Sequence, residues 1–178
     1  PNDIFFDFCE IMLSFYQKNK RVSVITGNNF QKKPINNNSY YFSKYSHIWG
    51  WATWKRAWKL FDDNDYKIEK YLRSSNFKNK CKKFDEQKYW SVMHSQIKKG
   101  ILKSWAYYFL LSMWKNNTLT VTPNLNLVKN IGINYKSSSN LNNPSLQINI
   151  SKKILKFPLI HPKKIKVDEK ADNYVFYN

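Results

Sequence analysis

At 178 residues the chain is the size of one domain, and with 42% hydrophobic and 17% aromatic residues it is too apolar for a disordered polypeptide. The net charge of +18, from 30 Lys and Arg against 12 Asp and Glu, suits anionic partners, but the lysines are scattered rather than aligned on one element, as on a solvated basic surface. No apolar run approaches the ~20 residues of a membrane span, and Cys9 and Cys81 lack the Cys-x-x-Cys spacing of a zinc or redox site, so neither class is indicated.

The two isolated thiols point to a reducing, cytoplasmic compartment, with a single disulfide left open. The chain opens on Pro1 rather than Met, with neither a basic start nor a small-residue cleavage site, and reads as a piece of something longer. From Asp3 to Asn19, Ile4, Phe5, Phe8, Ile11, Met12 and Phe15 recur at three- and four-residue spacing, which predicts an amphipathic helix capped by Asp3 or Asn2. "RVSVITG" then alternates and stops at Gly27, predicting a strand paired in parallel with one lying upstream. Residues 28–38 are polar and carry Pro34, so they read as a loop, and "SYYFSKY" as a second strand.

Trp49-Gly50-Trp51 is expected to be a loop, and "ATWKRAWKLF" to start a helix with Trp54 and Trp58 four apart on a core-facing side. "YKIEKYLRS" and "DEQKYWSVMHSQIKKG" predict two further helices, the second stopped by Gly100. "SWAYYFLLSMWKNN" predicts a buried helix, and "TLTVTPNLNLVKNIG" a short strand followed by irregular backbone. The organisation expected is an α/β fold in one domain fragment: a core over 1–132, a mobile polar loop over 133–151, and a tail over 152–178 draped on the body.

Four of the seven tryptophans, Trp49, Trp51, Trp54 and Trp58, fall within ten residues around Gly50. A glycine lets the backbone turn and come close to a ligand, and flanking indoles offer flat apolar faces with an N–H edge, which suit the C–H faces of a sugar ring. His47 stands beside this run as a candidate hydrogen-bonding group, whereas His94, within a helix, and His161, before Pro162, read as structural. Gly27, Asn28 and Asn29 follow a strand, where ligands of open α/β sheets bind; turn chemistry explains the asparagines equally well. No Ser-His-Asp arrangement or Gly-rich phosphate loop points to a hydrolase or kinase.

Five segments in order, "PNDIFFDFCEIML", "VSVITGNNF", "YYFSKYSHIWGWATWKRAW", "WKNNTLTVTPNLNLVKNIG" and "FPLIHP", resemble the C-terminal half of bacterial family-2-like glycosyltransferases of the nucleotide-diphospho-sugar transferase superfamily. The resemblance spans roughly Pro1 to Pro162 and implies a partial GT-A fold, a few strands flanked by helices, lacking its N-terminal nucleotide-binding half. It implies a hexosyltransferase-like enzyme that moves a sugar from a nucleotide-sugar to a polysaccharide, lipopolysaccharide or lipid-linked acceptor, in the cytoplasm or peripherally at the inner face of the membrane. A divalent cation, Mg²⁺ or Mn²⁺, is implied through an acidic motif upstream of Pro1, so no metal ligand and no catalytic residue is assigned within the chain.

The implied substrate-binding residues are Gly27, Asn28, Asn29, His47, Trp49, Gly50, Trp51, Trp105, Asn126 and Asn130. Two departures stand out: many relatives have an Asp after the tryptophan matching Trp105 where this chain has Ala106, and the loop after the Asn-Ile-Gly element lacks the family's usual His. Two other classes therefore stay open, a non-catalytic remnant and a basic nucleic-acid-binding module, the latter disfavoured by the scattered lysines.

Overall fold

The computed structural model describes residues 3–129, 151 and 153–178, which form two compact units. The first comprises residues up to Trp54 together with those from Leu119 onward, and the second Lys55–Thr118.

The first unit holds a mixed four-stranded sheet, β1 (Val22–Thr26), β2 (Tyr40–Ser43), β3 (Trp51–Thr53) and β4 (Leu119–Pro123), in the order β2-β4-β1-β3. Helix α1 (Asp3–Phe15) packs on β1 and β3 through Phe5, Phe8, Cys9 and Met12, one stripe at helical spacing. Each large apolar side chain of that stripe contributes about 1.5–3 kcal/mol by leaving water. The stripe is rotated from the expected face: Ile11 is 39% exposed, and Phe15, 57% exposed, stacks on His161 at 4.1 Å instead of entering the core.

β1 is a central strand, as its five buried residues require. Its parallel partner is the downstream β4, with Val22 opposite Leu119 and Ile25 opposite Val121, and its antiparallel partner is β3, with Ile25 opposite Ala52. This corrects the expectation of an upstream parallel neighbour, because both edges of β1 are taken by later strands. The sheet edge at β2 is covered from the tail: Val167 bridges Phe42 in parallel and Asp168 N–H donates to Phe42 O at 2.8 Å. The tail is also helical at its end, α7 (Glu169–Tyr177), capped by Asp168 Oδ1 accepting from Ala171 N–H at 3.0 Å.

The second unit is helical: α2 (Lys55–Trp58), α3 (Asp65–Leu72), α4 (Ser75–Lys80), α5 (Phe84–Lys98) and α6 (Trp105–Lys115). α6 is apolar nearly all round and buries seven residues from Tyr107 to Trp114, as predicted from its composition. Gly100, at φ 72°, follows α5 at the stop read from sequence. α4 was not legible, since "SNFKNK" has one buried apolar residue, Phe77; Ser74 Oγ, accepting from Phe77 N–H at 3.3 Å, starts it.

The helix expected from Ala52 to Phe61 is a second correction. Ala52 and Thr53 belong to β3, held by β1, and only Lys55–Trp58 are α-helical. Trp54 is half-buried, packs on the core of the first unit and donates its Nε1–H to Leu13 O at 3.1 Å. Trp58, expected in a core, is 45% exposed. Both cysteines are buried free thiols, and burial pushes Cys9 up to about 12. Among the described residues no helix is long and apolar enough to cross a membrane. The loop expected over 133–151 lies, except for Ser151, outside the described residues.

Candidate functional site

The parallel pairing of β1 and β4 makes both strands end on one side of the sheet, so the segments that leave them run together. Leu127 N–H donates to Gly27 O at 2.9 Å, and Asn29 N–H to Asn126 Oδ1 at 3.0 Å. The turn before β3 joins them, with Gly27 N–H donating to Gly50 O at 2.7 Å. Gly27, Asn28, Asn29, Gly50 and Asn126, separated by up to about a hundred residues in sequence, are thus neighbours.

Both glycines are required by what lies beside them. A Cβ on Gly27 would meet Phe5 and Val128 side-chain carbons at 2.7 Å, and one on Gly50 would meet Val128 Cγ1 at 2.6 Å. Gly50 also has φ 61°, where a side chain is strained. The close approach these glycines permit is therefore to Val128 and Phe5 of the core.

The asparagines divide into two kinds. Asn29 and Asn126 are occupied inside the fold: Asn29 Oδ1 accepts from Gln31 N–H at 2.9 Å, and Asn126 donates its side-chain N–H to Val128 O at 2.6 Å. Asn28 is 1% exposed, its N–H donates to Thr26 Oγ1 at 3.1 Å, and its buried Oδ1 has no hydrogen-bond donor among the described residues. A buried amide oxygen left unpaired costs about 1–3 kcal/mol. Asn124, not singled out from sequence, pins the 31–38 loop by donating to Asn38 O at 2.7 Å and accepting from Ile35 N–H at 3.2 Å. Its signal was its place beside Asn126 in an asparagine-rich strand exit.

Beside this junction stands a half-buried aromatic group. Phe30 meets His47 edge to face at 4.6 Å and Trp49 at 5.9 Å, while Tyr45 stacks on His47 at 6.2 Å. Trp49 packs on the core with one side, and Trp51 opens β3 opposite Thr26. Desolvation among these rings pushes the His47 imidazole down to about 4, so at neutral pH it is uncharged, with one nitrogen to donate and one to accept. Phe30 was missed because a lone Phe in a polar loop has no periodicity to mark it.

Trp105 belongs to the second unit, at the first turn of α6, 45% exposed and edge to face with Trp58 at 6.0 Å. Asn130 lies outside the described residues. His161 is held inside the first unit by Tyr40 Oη at 2.8 Å, in a relay with Tyr16 Oη at 2.6 Å, which fits a structural role. Among the described residues no group of three or more His, Cys, Asp and Glu could hold a metal ion. Compared with protein-family models, curated proteins and solved structures, the chain matches none.

Proposed function

We propose that this chain belongs to a GT-A glycosyltransferase that moves a sugar from a nucleotide-sugar to a glycan or lipid-linked acceptor, in assembly of bacterial polysaccharide or lipopolysaccharide. One observation carries the reading. Parts of the resembling segments, residues 27–30, 47–50 and 126–128, distant in sequence, meet at the common end of β1 and β4, where the Phe30, His47 and Trp49 rings form one group. An aromatic face with a neutral imidazole is the equipment for a polyhydroxylated ring: the ring's C–H face stacks, and its hydroxyls exchange hydrogen bonds with His47.

What the described residues contribute in this reading is binding and orientation of the sugar. Ala106 offers no carboxylate for proton removal. The basic surface suits a peripheral position at the inner face of a membrane, beside a lipid-linked acceptor.

The test is titration of the complete protein with a panel of nucleotide-sugars in the presence of Mg²⁺ or Mn²⁺. Binding of one donor with turnover onto a glycan acceptor is expected; absence of donor binding with metal present rejects the proposal. Glycan binding without turnover selects the non-catalytic remnant, which Ala106 favours. Salt-sensitive binding of single-stranded RNA or DNA instead would select the nucleic-acid module.

A further inference from the structure

The helical unit has a cleft of its own, about 580 Å³, between one stripe of α3 and one of α5. Glu69 and Arg73 stand four apart on the first, and His94, Ser95, Lys98 and Lys99 form the second, so each set faces inward at helical spacing. Glu69 Oε1 is paired with Lys98 Nζ at 2.6 Å, which neutralises both charges. Asp65, the other carboxylate acting on His94 and Lys98, accepts from Tyr108 Oη at 2.6 Å. Arg73 and Lys99 are exposed and form no ion pair among the described residues.

A second, independent feature lies in the same wall. His94 is 4% exposed, it stacks on Tyr107 at 6.0 Å, and neither of its ring nitrogens has a hydrogen-bond partner among the described residues. Its Nε2 is 3.9 Å from Glu69 Oε1, beyond hydrogen-bond reach. The neutral ring keeps one N–H to donate, and a buried donor with no acceptor is an exception in folded proteins.

We propose that this cleft binds a phosphate-bearing ligand, a phosphomonoester or diphosphate, through the Arg73 guanidinium, the Lys99 ammonium and the Ser95 hydroxyl, over the buried His94 ring. Two cations outside any ion pair among the described residues, Arg73 also acting on Glu69 at longer range, together with a hydroxyl match the several oxygens and the double charge of such a group, and the cleft is larger than phosphate alone, leaving room for what the phosphate is attached to. The site is independent of the aromatic site of the sheet unit and of the transferase reading.

The experiment is calorimetric titration of the full chain with inorganic pyrophosphate, alongside co-sedimentation with phosphatidylcholine vesicles with and without phosphatidic acid. Arg73→Gln/Lys99→Gln changes two exposed side chains and leaves the fold intact; Lys163→Gln/Lys164→Gln is the charge-matched control. Pyrophosphate binding weakened at least about tenfold in the first variant and unchanged in the control identifies a free phosphate ligand. Vesicle binding that needs phosphatidic acid and is lost only in the first variant identifies a headgroup. Binding of neither probe, or equal weakening in both variants, overturns the site.

Discussion

Gly50 carries two requirements at one position, a positive φ and a contact with Val128 that leaves no room for a methyl group. Gly50→Ala is therefore expected to cost about 1–2 kcal/mol for the left-handed backbone and about 1–3 kcal/mol for overpacking, read as a lower urea midpoint. Gly27→Ala meets only the second term, since Phe5 and Val128 crowd it at 2.7 Å, and should fall in the lower half of that range. An unchanged midpoint in both would show that Val128 yields freely. Trp49→Ala removes the aromatic face without touching a glycine; affinity for the sugar-bearing ligand should drop by about 0.5–1.5 kcal/mol, with the far-ultraviolet spectrum preserved. The alternation of tryptophans around glycine was readable as chemistry, but which of the two indoles leans on the core was not.

At the scale of elements, the β2 edge depends on the tail. Asp172, 3% exposed on α7, accepts from Ser43 Oγ at 2.5 Å and from Lys44 N–H at 2.9 Å, tying the helix to the end of the strand. Asp172→Ala leaves those donors unpaired in a buried place, so a loss of about 1–3 kcal/mol is expected, with faster amide exchange at Lys44. Exchange unchanged at Lys44 would mean the tail holds β2 by Val167 and Asp168 alone. α1 was legible because burial on one face writes itself into spacing, whereas β1 showed as a short β-branched run, α6 as a continuous apolar one and α5 by its length and the Gly100 stop. α7 and α4 were not, because they are started by a single capping side chain, Asp168 or Ser74, rather than by an apolar repeat.

For the whole molecule, protonation sets a window. His47, in the sheet unit, and His94, in the helical unit, are both held below the ordinary value of 6.5 by burial. Between that value and the folded one the unfolded chain binds more protons, so stability is full above about pH 6.5 and declines as pH falls toward 4, the value for His47. Urea midpoints measured from pH 7.5 to 4.5 should show that decline, and His94→Gln and His47→Gln should each flatten part of it. A profile flat over the window would contradict the burial of both rings. The net charge of +18 adds self-repulsion at every pH in that range.

Sequence alone determined the mixed α/β character, the places of β1, β2 and β4, the long helices and the turn at Gly50, because each is encoded in local spacing or in a residue's own stereochemistry. Tertiary structure decided the rest. It took Ala52 and Thr53 from an expected helix into β3, since pairing with buried β1 satisfies their backbone better than an isolated helical turn would. It left Trp58 half in water. It also spent Asn29 and Asn126 on the backbone while leaving Asn28 Oδ1 unpaired, a distinction no sequence pattern carries, because three asparagines look alike until their neighbours arrive from across the sheet.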